Sequence, residues 1–125
     1  MWTKGALLAL AFVFAVMAPS SSHGQQLTFE LINDSGRDIQ VEFYSEDRNH
    51  AWPGGNQAYN LARARDNSWT ISCRRGEKIC YGAWVKGNST VYWGVGLNRK
   101  QRCETCCFIC DGSVAKRTLT PPRGG

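Results

Sequence analysis

The sequence has little histidine: two in 125 residues, His23 and His50. It contains no G-x-S-x-G, H-E-x-x-H or phosphate-loop pattern. A lone loop histidine is more often solvated than a general base, so the common nucleophilic, zinc and phosphoryl routes have no sequence support. Blocks of like charge are also missing. The formal net charge is +5, but the basic residues are scattered, as in Arg63 and Arg65, Arg74 and Arg75, or Lys116 and Arg117. Scattered pairs of this kind are solvated turns rather than a nucleic-acid arm, and no nucleic-acid partner is expected. No apolar run reaches the roughly 20 residues a helix needs to cross a bilayer. No repeat of convincing quality is present, and no cofactor motif is found.

The longest apolar run, residues 6–18, has 13 residues and follows the positive Lys4. Pro19 breaks it, and Ser20, Ser21 and Ser22 come next. This is the layout of a secretory signal peptide over residues 1–24, cleaved after Gly24 to leave Gln25 at the new N-terminus. Removal takes only one charge, Lys4, and lowers the net charge from +5 to +4. The remaining 101 residues suit one domain, 25–119, with a disordered Pro-Gly tail at 120–125. No membrane span is expected after processing, and the location is secreted or periplasmic.

Period-two alternation dominates this domain. Leu27, Phe29 and Leu31 share one face, and Ile39, Val41 and Phe43 share another. The Asn33-Asp34-Ser35-Gly36 turn between them predicts a β-hairpin over 27–45. Residues 45–58 show no period and read as a long loop carrying Trp52. Glu46, Asp47 and Asn49 in that loop are oxygen donors, but their spacing completes no calcium motif, and solvated polar groups are expected. Residues 59–66 fit either a strand or a helical turn. Runs at 69–73, 79–85 and 91–95 alternate again, and the turns at 74–78 and 86–88 predict a three-strand meander. Gly82 and Gly94 sit beside Tyr81 and Trp93, with Gly96 two residues further on, where a missing side chain leaves room for a ring. Further short strands are expected at 106–110 and 114–119. The expected fold is all-β, a small disulfide-stabilised antiparallel sandwich or partly open barrel of six to eight strands. Glu30 and Glu42 fall on the polar phase and read as solvated carboxylates.

Six cysteines, an even number, read as a disulfide framework in a secreted chain of this size. They are Cys73, Cys80, Cys103, Cys106, Cys107 and Cys110, and the last four form two abutting C-x-x-C units. A Cys73–Cys80 bridge would close a loop worth about 2.5 kcal/mol, and a bridge from either to the cluster about 3.6 kcal/mol. Adjacent Cys106 and Cys107, with Cα atoms about 3.8 Å apart, rarely bond each other, and in a strand they point to opposite faces, so they should have different partners. Zinc ligation is the second reading, weakened because the two pairs lack the usual long spacer, and no metal site is assigned. Thiol redox chemistry is the third, without the βαβ pattern that usually surrounds such a motif.

Four tryptophans remain after processing. Trp69 and Trp93 fall on the apolar phase and read as core. Trp84 falls on the opposite phase and Trp52 in a Pro-Gly loop, so these two are the candidate binding residues. The expected function is a non-enzymatic binding or structural β module of the cell envelope, with an unidentified envelope or extracellular ligand. The alternative is a thiol-redox or metal-binding protein built on the cysteine cluster. The runs Phe29-Glu-Leu-Ile-Asn, Val41-Glu-Phe-Tyr-Ser, Gly76-Glu-Lys-Ile-Cys-Tyr-Gly-Ala-Trp, Tyr92-Trp-Gly-Val-Gly and the double C-x-x-C resemble a group of small secreted alphaproteobacterial proteins of unknown function. The resemblance implies a periplasmic or exported bacterial protein and brings no catalytic or binding residues with it.

Overall fold

The computed structural model describes residues 25–122. The expected signal peptide, and residues 123–125 of the expected tail, lie outside them. Among the described residues, nine strands form two sheets that face each other and do not close into a barrel. The smaller sheet has the order β5-β1-β9, from β1 (Gln26–Asn33), β5 (Asp66–Ser72) and β9 (Val114–Leu119). In the larger sheet β2 (Ile39–Ser45) and β6 (Lys78–Val85) are the two central strands. The free edge of β2 is shared by β3 (Ala51–Trp52) and β4 (Tyr59–Leu61), and the free edge of β6 by β7 (Asn88–Gly94) and β8 (Cys107–Ile109).

The sandwich is all-β, but it is not wholly antiparallel: β9 runs parallel to β1, with Phe29 opposite Ala115. The expected hairpin over 27–45 does not form. β1 pairs with β5 and β9, while β2 pairs with β3, β4 and β6. Their link is an arch that carries the chain from one sheet to the other, so the two apolar faces look at each other. Phe29 and Phe43 stack across the centre with ring centroids 4.3 Å apart. Asn33 holds the arch: it is 1 % exposed, and its amide donates to the carbonyls of Arg37, Leu61 and Ala62. The expected meander is broken for the same reason. Residues 73–77 cross between sheets, so β5 and β6 are not partners, whereas β6 and β7 do form a hairpin.

The core lies between the sheets and contains Leu27, Phe29, Leu31, Ile39, Val41, Phe43, Leu61, Ile71, Ile79 and Leu119. The long loop is partly structured, since β3 pairs Trp52 with Phe43. Beyond β9 the Thr120 carbonyl accepts the Trp93 indole N–H at 2.8 Å. All six cysteines are bridged, as Cys73–Cys110, Cys80–Cys107 and Cys103–Cys106. Cys73 and Cys80 therefore do not bond each other; both reach the cluster, and adjacent Cys106 and Cys107 take different partners. Three disulfides are bonds of an oxidising, non-cytoplasmic compartment. No helix among the described residues is long and apolar enough to cross a membrane.

Candidate functional site

The outward phase of the central strands carries Gln40, Glu42 and Tyr44 on β2 and Cys80, Gly82 and Trp84 on β6. This face is covered. After β7 the chain turns at Gly96 through a short 3-10 turn, Leu97–Arg99, and lies back across β6. Gly82 permits the approach: a Cβ there would stand 2.2 Å from the Gly96 carbonyl oxygen and 3.0 Å from the Tyr44 ring. Gly94 likewise makes room for the Tyr81 carbonyl and ring, whereas the space at Gly96 is taken by the Gln101 side chain and not by a ring. From the other side, the loop holding Pro53, Gly54, Gly55 and Asn56 rises beside β2.

Between these two walls runs a cleft. One lobe, about 590 Å³, is lined by Glu42, Tyr44, Arg48, His50, Asn98 and Arg99 among others. An adjoining lobe of about 520 Å³ has Gln40, Gln57 and Trp84. Glu42, Asn56 and Asn98 line both, so Glu42 sits where the lobes meet.

Glu42 corrects the expectation of a solvated carboxylate, being only 7 % exposed. The Tyr44 hydroxyl donates to it at 2.9 Å and accepts the Asn98 backbone N–H at 2.9 Å. Burial pushes the Glu42 carboxyl above its ordinary range, and the Tyr44 hydrogen bond offsets this only in part. Tyr44 is pushed up as well, first by burial and then by the neighbouring Glu42 charge. The two guanidinium groups in the cleft are already matched. Arg48 makes a two-pronged pair with Glu77 at 2.6 and 3.0 Å, and Arg99 binds Glu46 at 3.1 Å and the Ser45 carbonyl at 2.8 Å. Among the residues lining both lobes, Glu42 is the single carboxylate, and among the described residues no cation pairs with it.

The sequence-predicted aromatic pair is split. Trp84 lines the second lobe, but it is 4 % exposed, with its indole N–H donating to Gln40 at 3.2 Å. It is a packed wall of a covered face. Trp52 is half-buried on the core side of β3; His50 meets its ring edge-on at 4.5 Å and the Arg48 guanidinium lies 5.7 Å from its centre. Its neighbours Ala51 and Pro53 line the cleft, whereas Trp52 does not. Trp69 and Trp93, expected as core, are only partly buried.

Sequence reasoning missed Glu42, Tyr44, Asn98 and Arg99 as a group. One signal was present. The supposed polar phase of β2 and β6 carries Tyr44, Trp84 and Gly82, which are the residues of a covered face rather than a wet one. All six sulfurs are in disulfides, so in this state none is free to ligate metal, and no group of three or more His, Cys, Asp or Glu among the described residues could hold an ion. The chain matches no protein-family model, no curated protein and no solved structure in the comparisons made.

Proposed function

We propose that this chain is an extracytoplasmic, non-enzymatic binding module that takes a hydroxyl-rich ligand, such as a glycan strand of the cell envelope, in the cleft over β2. The observation that carries this reading is Glu42, a 7 % exposed carboxylate with one recorded hydrogen-bond partner, facing a polar cleft whose cations are spent on other acids. Such a group is an acceptor held ready for a donor. A sugar hydroxyl supplies one without the charge repulsion that an anionic ligand would meet. Asn56 and Asn98 beside it offer both donors and acceptors, as ring hydroxyls require. Glycoside hydrolysis ordinarily uses two carboxyls across the bond to be cut, and the lining of this cleft supplies one, which favours binding over turnover. The signal-peptide layout, the three disulfides and the resemblance to small secreted alphaproteobacterial proteins support an envelope or exported setting.

The test is calorimetric titration of the oxidised protein with neutral N-acetylglucosamine oligomers and neutral exopolysaccharide oligomers. Glu42→Gln should weaken binding of the recognised sugar about tenfold or more, on the order of 1.5 kcal/mol for one hydrogen bond to a charged group. The same variant should melt higher at neutral pH, because it removes the cost of ionising a buried carboxyl, so lost binding cannot be blamed on misfolding. Equal affinity for wild type and Glu42→Gln would move the site away from the cleft.

A further inference from the structure

We propose that the Cys103–Cys106 disulfide is a thiol-exchange site, opened and closed by a dithiol partner while the other two bridges stay shut. This goes beyond the binding reading and does not depend on it. The first observation is access. Cys110 is fully buried and Cys73 is 8 % exposed, so Cys73–Cys110 is sealed at both ends. Cys80 is fully buried but its partner Cys107 is partly exposed, so access separates Cys103–Cys106 from the first bridge, and the two observations that follow separate it from the second. Cys103 is partly exposed, in the segment that leads into β8, and its partner Cys106 is 4 % exposed. An incoming thiolate therefore reaches the Cys103 sulfur, and Cys106 is the sulfur that leaves.

The second observation is a fixed cation. The Arg117 guanidinium lies over the Phe108 ring, 4.6 Å from its centre, and donates at 3.3 Å to the carbonyl of Thr105, the residue that precedes Cys106 in the chain. A nearby guanidinium favours the thiolate form and so eases departure. Arg102 and Glu104 also flank the motif, but their 4.0 Å pair is almost wholly in water and is screened. The third observation is that opening this bridge costs little order. It spans three residues, whereas the separations of the other two are 37 and 27, so their closure continues to hold the sheets and β8.

The step balances with a dithiol as co-reactant. Its thiolate attacks Cys103 Sγ, the Cys103–Cys106 bond breaks, and Cys106 departs as thiolate. The partner's second thiol, deprotonated, attacks the mixed disulfide and frees Cys103. Two electrons pass to the protein, the partner leaves as a disulfide, and its two protons end on the cysteines or in solvent.

The experiment exposes the oxidised protein to graded dithiothreitol, traps thiols by alkylation and maps the peptides. Cys103 and Cys106 should be alkylated at reductant concentrations at least tenfold below those that open the other bridges, with the circular dichroism spectrum unchanged. Arg117→Gln should slow this opening several-fold near pH 7, the deficit closing at higher pH as the thiolate forms unaided. The Cys103→Ser/Cys106→Ser double variant should fold with two bridges and show no early-reacting thiol. Concerted opening of all three bridges, earlier opening of Cys80–Cys107, or a wild-type pH profile in Arg117→Gln would each overturn the proposal.

Discussion

Glu77 is buried, at 3 % exposure, and it is ionised. Arg48 grips both of its oxygens, the Ser45 hydroxyl donates at 2.5 Å, and the Arg74 backbone N–H donates at 2.8 Å. The Arg48 hydrogen bonds, against the opposing effect of burial, bring its carboxyl from 4.5 down to about 2. A depressed folded value means that stability is fully present above the unfolded value and is lost as pH falls between about 4.5 and about 2. Glu77→Gln should therefore destabilise by about 2–3 kcal/mol at neutral pH, because it leaves a buried polar cluster short of its anion. In urea unfolding curves taken at several pH values, the gap should narrow below pH 4.5 and close near pH 2. A gap that persists at the acid end would mean that shape and not charge holds the site. Glu42 has the opposite sign: its folded value is raised, so its contribution is present below the ordinary carboxylate value and lost as pH rises through the folded one. The sequence places both acids without separating them. Strand phase puts Glu42 on an outward face, and a turn composition puts Glu77 at a bend. Neither reveals that later segments cover those positions, because the covering residues are distant in sequence.

Among the elements, what could be read was which faces are apolar. Leu27-x-Phe29-x-Leu31 and Ile39-x-Val41-x-Phe43 are the buried rows of β1 and β2, as alternation requires. Alternation does not say which edge a strand pairs on. A hairpin and an arch bury the same six side chains, and the choice falls to longer-range contacts. Here β5 and β9 take both edges of β1, leaving none for β2. Trp84 shows the same limit: its phase is read correctly, but alternation does not say whether the face it points to is roofed, and here Leu97 and Asn98 lie beside it. The roof can be tested at Gly82. Gly82→Ala would set a methyl 2.2 Å from a backbone oxygen, which only movement of the 96–106 segment can relieve. Overpacking of this sort costs about 1–3 kcal/mol. It should also displace Asn98, whose backbone N–H bonds Tyr44, and so weaken cleft binding while the sheets persist. A thermal melt paired with binding calorimetry separates the two effects. Unchanged affinity in a folded Gly82→Ala protein would show that the roof is no part of the site.

For the whole molecule the question is what joins two sheets whose strands share no edge. Packing of the facing apolar rows is one answer, the Asn33 and Trp93 side-chain hydrogen bonds between the sheets are another, and the Cys73–Cys110 bridge is the covalent one. Cys73 follows β5 in the small sheet, and Cys110 follows β8 in the large one. Backbone bonds flank the bridge, from Gly76 N–H to the Cys110 carbonyl and from Cys110 N–H to the Glu77 carbonyl, at 2.9 and 2.8 Å. The cysteine count and the size of the chain made a disulfide framework legible, but not this pairing, because six cysteines allow 15 pairings and the choice depends on which strands end side by side. Loop entropy ranks the bridges. With a separation of 37, Cys73–Cys110 is worth about 4 kcal/mol, while the three-residue separation of Cys103–Cys106 gives about 2 kcal/mol. The sum for an ordinary domain is only about 5–15 kcal/mol, so losing the first bridge removes a large share of it. Replacing Cys73 and Cys110 by serine should shift the urea midpoint far more than replacing Cys103 and Cys106, and it should lower cooperativity, since each sheet is then free to loosen by itself. Tryptophan fluorescence follows this directly: Trp69 reports the small sheet, and Trp84 and Trp93 the large one. With single-tryptophan versions of the Cys73→Ser/Cys110→Ser protein, the two sheets should unfold at separate midpoints, whereas coincident midpoints would mean that the facing apolar rows and the hydrogen bonds between the sheets couple them without the bridge.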